Sequence, residues 1–198
     1  MLDLADLESN PITQLLKWYD DAVQAKIKNP DAMTLATASR TRTPSARIVL
    51  FKGVNESGIK FFTNYSSRKG KELKSNPQAA LVFYWSALDR QIRIEGKIQT
   101  LSPEESDAYW VSRPRESQVG AIASSQSSVI PNRQFLENKL KQIELKYAGK
   151  EIPRPKNWGG FCLLPKRVEF WISGEHRIHD RFCFLKRGKK WSVSRLSP

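Results

Sequence analysis

Cysteine is nearly missing from this sequence, with two residues, Cys162 and Cys183, in 198. A single disulfide is the most they could form, and nothing requires it. Free thiols in a reducing compartment are the expectation. Histidine is as scarce, at two, and no His/Cys/Asp/Glu cluster has ligand spacing, so no metal is expected. There is no glycine-rich phosphate loop and no GxGxxG, which argues against a nucleoside triphosphate or a Rossmann cofactor. No GxSxG element is present. Long apolar runs are missing too. The longest uncharged stretch, residues 117–132, is too short to span a bilayer and carries four serines after Ala123. Asp3, Asp6 and Glu8 stand where a signal peptide would be basic and then apolar. A cytoplasmic protein with no membrane span is expected.

What the chain has in excess is positive charge. Lys and Arg number 33 against 20 Asp and Glu, a net charge of +13. Residues 1–30 are net −2, which leaves +15 for the rest, and residues 181–198 hold six bases and no acid. Such a balance suits nucleic acid, anionic lipid or a phosphorylated small molecule, or simply a solvated basic surface. Composition alone does not choose.

The length suits one domain over residues 1–198. Ile12, Leu15, Leu16, Tyr19, Val23 and Ile27 fall at helical spacing, and Asn10-Pro11 caps that helix over 11–27. From Met33 the period changes to two. Strands are predicted at 33–38, 46–52, 59–64, 79–85 and 90–101, with a turn at Asn55-Glu56-Ser57-Gly58. Helices are predicted at 67–75, from Ser102 to about Ser112, and over 131–147; strands follow at 159–164, 167–172, 181–186 and 191–196. Short strands in hairpin succession with helices inserted predict an α+β, mainly β, antiparallel barrel.

Four constellations could carry chemistry. In an extended segment Arg177, His179 and Arg181 would share a face, where an anion or an electron-rich ring would relieve their repulsion. Alternatively Glu175 and Asp180 neutralise them in a surface turn. Ser66-Ser67-Arg68-Lys69 at a helix start suits a phosphate, or is an ordinary capped helix. Residues 47–52 (RIVLFK) form a buried-looking strand with Arg47 and Lys52 directed to opposite faces, or a core strand with snorkelling ends. Tyr109, Arg113 and Ser117 are four apart and suit a phosphate monoester if the helix continues past Pro114, or are helix-surface packing. Basic strands with aromatics could also bind single-stranded nucleic acid.

In order along the chain, RIVLFK at 47–52, FFTN at 61–64, SRK at 67–69, Arg90-Gln91, SRPRESQVG at 112–120, SQSS at 125–128, WGGF at 158–161 and EFWISGEHRIHDRF at 169–182 together resemble the pyridoxine/pyridoxamine 5′-phosphate oxidase family. The resemblance implies an FMN-binding split β-barrel with peripheral helices, dimeric, with FMN in clefts between subunits. It implies FMN contacts from Arg47, Ile48, Val49, Leu50, Lys52, Phe62, Thr63, Arg68, Lys69, Gln91, Gln126, Ser127, Trp171 and Arg181. It implies substrate-phosphate contacts from Lys52, Tyr109, Arg113 and Ser117, with Arg177 and His179 closing over the pyridine ring as catalytic groups. The implied partners are pyridoxamine or pyridoxine 5′-phosphate, O2 and a second copy of the chain, without nucleic acid or membrane. The implied reaction yields pyridoxal 5′-phosphate and H2O2, with NH3 from the amine, in vitamin B6 salvage. Two departures stand out. Phe62 replaces a frequent tyrosine, and the acidic residues 2–8 stand where many members carry a basic, tyrosine-bearing segment. Within the family, phenazine-biosynthesis oxidases offer an alternative substrate class, against which the phosphate-suited set at Tyr109, Arg113, Ser117, Arg177 and His179 argues.

Overall fold

The computed structural model describes residues 3–55 and 57–198. Leu2, in the acidic N-terminal segment, and Glu56, in the 55–58 turn, lie outside the described residues. In that turn the Asn55 side-chain carbonyl accepts the N–H groups of Ser57 and Gly58, which folds the chain back on itself.

Helix α1 (Pro11–Gln24) starts where Asn10 Oδ1 accepts the Ile12 N–H and Pro11 occupies a position that needs no donor. It ends before the expected Ile27, because Lys26 adopts a left-handed φ of 53°. Leu15, Trp18 and Ala22 face the core. The strands follow as β1 (Ala32–Ala38), β2 (Pro44–Leu50), β3 (Ile59–Asn64), β4 (Gln78–Trp85), β5 (Arg90–Thr100), β6 (Trp158–Ile172), β7 (Asp180–Arg187) and β8 (Lys190–Arg195). Helix α2 (Arg68–Ser75) lies between β3 and β4, and α3 (Pro103–Val111), α4 (Arg115–Ala123) and α5 (Arg133–Lys146) lie between β5 and β6.

Every pairing is antiparallel, in the order β2-β1-β4-β5-β6-β7-β8, with β3 also on β6. β6 organises the molecule. β5 runs along one of its edges; on the other, β3 pairs with its first half and β7 with its second. Two strands were expected here, but the chain passes through Pro165 as one, with the register shift taken up between Glu95 and Gly96 of β5. A bulge tolerates proline because the ladder is already interrupted there. The sheet curls until Lys52 N–H reaches Lys60 C=O and Lys60 N–H reaches Gly53 C=O, both at 2.9 Å, yet it does not close into a full ladder. The result is a split antiparallel barrel with helices at its periphery.

Two apolar clusters form. The main core packs α1 against the sheet through Leu15, Trp18, Phe83 and Phe170. A smaller cluster of Trp110, Val119, Ile152 and Trp158 seats α3, α4 and α5. The buried look of residues 47–52 is corrected. β2 is an edge strand, of which Val49 is buried while Ile48 and Leu50 are 62% and 45% exposed. An edge strand has one neighbour in the sheet, so these two apolar side chains stay largely exposed among the described residues.

Candidate active site

At the start of α2, Ser67 Oγ accepts the Gly70 N–H and sets the first turn. That turn drives Lys69 inward until it is 8% exposed. Its Nζ donates to Thr63 Oγ1 at 3.2 Å and Gln126 Oε1 at 3.1 Å, both neutral. Among the described residues no carboxylate pairs with it. Burial pushes its pKa down, and the neighbouring Arg47 charge pushes it further. A buried ammonium without a counter-charge is costly, so this position calls for an anion from outside.

Beside it lies the one carboxylate of the cluster, Glu72, which the sequence reading did not single out. Its Oε2 accepts from Thr37, from Ser45 at 2.7 Å and from Arg47 Nη2 at 3.2 Å, while Oε1 accepts from Arg68 Nε at 2.9 Å. Burial raises its pKa, but the four donors outweigh that and hold it at about 2. A signal was available, since Glu72 stands four residues after Arg68 on a helix.

Between β2, β3, α3 and α4 opens a cavity of about 410 Å3. Ile48, Val49, Leu50, Lys52, Phe62, Thr63, Lys69 and Gln126 of the expected cofactor set line it, and Tyr109, Arg113 and Ser117 join them from the other side. The condition that the helix continue past Pro114 is not met. α3 stops at Val111, Pro114 intervenes and α4 begins at Arg115, yet all three residues still converge. Phe62 stacks on Tyr109 at 3.9 Å, and Trp158 lies parallel to both. Arg113 sits over the Trp158 and Trp110 rings at 4.6 and 5.1 Å, with its buried Nη1 making no hydrogen bond. Lys52 is not free: Asp31 pairs with it at 2.9 Å.

The remaining expected residues are not among those lining this cavity. Gln91, Trp171 and Arg181 are direct neighbours across β5, β6 and β7. Arg181 is clasped by the buried Glu169, whose Oε1 accepts from Nε and Nη2 at 3.0 and 2.8 Å. His179 packs on Trp171 at 4.7 Å, and its Nδ1 accepts the Gly174 N–H. Arg177 is not on an extended strand, as the shared-face argument required. It occupies a tight turn, Glu175–Arg177, with φ of 53° at His176 and 64° at Arg177. The neutralising role considered for Asp180 goes elsewhere, since Asp180 pairs with Arg195. Ser127 accepts the Arg68 N–H and ties the 124–132 loop to α2.

The family description "Pyridoxamine 5′-phosphate oxidase" matches residues 19–147, and "Pyridoxine 5′-phosphate oxidase C-terminal dimerisation region" matches residues 158–198. A pyridoxine/pyridoxamine 5′-phosphate oxidase of Paraburkholderia phytofirmans is 51% identical, covering 100% of this chain and 93% of the relative. The chain belongs to the pyridoxine/pyridoxamine 5′-phosphate oxidase family. Another oxidase of this name, from Cyanothece, is 48% identical over 100% of the chain and 92% of its own length. Among solved structures, PhzG from Burkholderia lata, in complex with tetrahydrophenazine-1-carboxylic acid, superposes with a TM-score of 0.94 at 32% identity, covering 100% and 98% of the two chains. A pyridoxamine 5′-phosphate oxidase-related, FMN-binding protein of Nostoc punctiforme shares the fold, with a TM-score of 0.76 at 16% identity over 96% and 98%. The oxidase family thus contains this chain's split barrel, and its dimerisation region corresponds to β6, β7 and β8. Among the described residues no helix is long and apolar enough to cross a membrane, and no group of metal-binding side chains occurs.

Proposed function

We propose that this chain is an FMN-dependent oxidase that converts pyridoxine or pyridoxamine 5′-phosphate to pyridoxal 5′-phosphate in vitamin B6 salvage. The observation that carries the reading is a pair of cations on one cavity, the buried Lys69 and the half-buried Arg113 with its Nη1 buried, neither with a carboxylate partner among the described residues. Two phosphates, one on the cofactor and one on the substrate, match two such positions. The donor set around Lys69 fits a flavin phosphate: an ammonium, two guanidiniums and the hydroxyls of Thr63 and Ser127.

When bound, FMN would accept a hydride equivalent from the substrate's C4′ carbon and return the electrons to O2, giving H2O2. The chain supplies placement. Lys69, Arg47 and Arg68 hold the cofactor phosphate, and Arg113, Tyr109, Ser117 and Lys52 hold that of the substrate. Arg113 is set by two tryptophan faces, so little freedom is lost when its open N–H meets an oxygen. With Nδ1 engaged by Gly174, His179 presents Nε2 for moving a proton, and Arg177 orients the pyridine ring.

Gln91, Trp171, Arg181, Arg177 and His179 belong to the region matching the family's dimerisation segment or pair directly with it. We assign them to the cavity of a second copy, so each site is built by two chains. The PhzG likeness supports a second reading, the same cofactor with a tetrahydrophenazine carboxylate as substrate. Anaerobic titration separates the readings. FMN-loaded protein mixed with pyridoxine 5′-phosphate should lose its visible flavin absorbance and regain it in air. Bleaching by a tetrahydrophenazine carboxylate and not by either B6 phosphate would favour the second reading, and absence of flavin binding would refute both.

A further inference from the structure

Neutral donors and cations account for a phosphate site, but they leave the buried Glu72 carboxylate unexplained, since an anion beside a phosphate should weaken its binding. Its contacts supply a reason. Glu72 uses one oxygen for Arg47, from β2, and the other for Arg68, one turn earlier on α2. Thr37 of β1 and Ser45 of β2 donate to the oxygen that faces Arg47. The carboxylate therefore joins α2 to the sheet at the point where Lys69 enters the cavity. Its low pKa keeps it ionised throughout the neutral range. Arg47, Arg68 and Lys69 with Glu72 amount to a charge of +2, which matches a phosphate monoester dianion of about −2. Without Glu72, two long cationic side chains and a buried lysine would repel one another and splay. Among the bonds of Arg68 to described side chains, only Nε is used, which leaves both terminal nitrogens for a ligand.

We propose that Glu72 is the positioning residue of the cofactor-phosphate subsite, holding Arg47 and Arg68 in place around Lys69 so that the site is formed before the phosphate arrives. The inference rests on the FMN reading above and adds to it a residue that does not itself touch the ligand.

The test compares FMN with riboflavin, which lacks the phosphate, by quenching of flavin fluorescence on wild type, Glu72→Gln and Ser45→Ala, with thermal melts alongside. Wild type should prefer FMN strongly. Glu72→Gln should bind FMN about tenfold or more weakly, even though the site has gained a positive charge, while riboflavin affinity changes less than about twofold. Ser45→Ala keeps the charge and loosens one hold, so an FMN-selective loss of about threefold is expected. Tighter FMN binding by Glu72→Gln would overturn the proposal, because Glu72 would then merely oppose the phosphate. An equal loss of FMN and riboflavin would also overturn it, since the role would be structural. Should Glu72→Gln not melt cooperatively, Ser45→Ala decides, and unchanged FMN affinity there overturns the inference. A wild type that takes up neither flavin refutes the cofactor reading itself, an outcome distinct from selective wild type with an unselective variant.

Discussion

Lys69 is 8% exposed, and among the described residues no carboxylate pairs with its ammonium. On the function proposed above, its presence lowers the stability of the empty site in exchange for phosphate affinity. Lys69→Met should therefore raise the apoprotein's melting temperature, or leave it unchanged, while FMN affinity falls by about tenfold or more. Differential scanning calorimetry and flavin titration on the same preparation check both halves; a destabilised apoprotein would contradict the argument. The pH dependence has a definite sign. The folded-state pKa of Lys69 lies below the ordinary 10.5, so between the two values the unfolded chain holds more protons. Stability of the apoprotein rises with pH across that window, and Lys69→Met removes this contribution. Lys69 itself was legible, since an SRK run at a helix start is an anion motif. Its isolation was not legible, because which carboxylates come near depends on β1 and β2 folding back over α2.

At the scale of elements, β6 decides most. The WGGF run that opens it is shaped by close approach rather than by turns. A Cβ on Gly160 would lie 2.5 Å from Leu101 Cδ1 and 2.7 Å from Phe62 Cε1. Those are side-chain atoms that can move, but moving Phe62 disturbs its stack on Tyr109. At Gly96, the bulge partner on β5, the same atom would lie 2.1 Å from the Leu164 carbonyl oxygen, which is backbone. Gly96→Ala should therefore cost about 2–3 kcal/mol and Gly160→Ala about 1 kcal/mol, measured by urea unfolding. On the B6 oxidase reading proposed above, Gly160→Ala should also raise KM for the substrate more than kcat falls. If the two variants were equally destabilised, side-chain give at Gly160 would be disproved. Periodicity located the halves of β6 but divided them at Pro165, because the residue pattern around a bulge breaks alternation. It placed the end of α3 at about Ser112, as found, but gave no sign of α4, which a shared aromatic cluster brings beside α3 after Pro114.

At the scale of the whole molecule, several residues expected at the site are not among those lining the cavity. Tyr84, Gln91, Trp171 and Arg181 form one row across β4, β5, β6 and β7. Tyr84 is 60% exposed on that row, and Ile48 and Leu50 are exposed on the edge strand β2. Such apolar exposure beside residues expected at the site suits a surface that a second copy covers. Tyr84→Asp, which leaves the cavity residues intact, should give a folded monomer by sedimentation equilibrium and an FMN affinity lower by about tenfold or more. A dimer with normal flavin affinity would show that this face is not shared.

The sequence by itself determined the antiparallel elements, the cationic positions and the family, because period, caps and contiguous motifs are local properties of the chain. Tertiary structure alone decided which cations have partners. Lys52 meets Asp31, Arg47 and Arg68 share Glu72, and Arg181 takes Glu169, whereas among the described residues Lys69 and Arg113 line the cavity without a carboxylate partner. Net charge is a sum over residues and can be read without a fold. Compensation is a matter of distance and burial, and these arise only when strands far apart in sequence come to lie side by side.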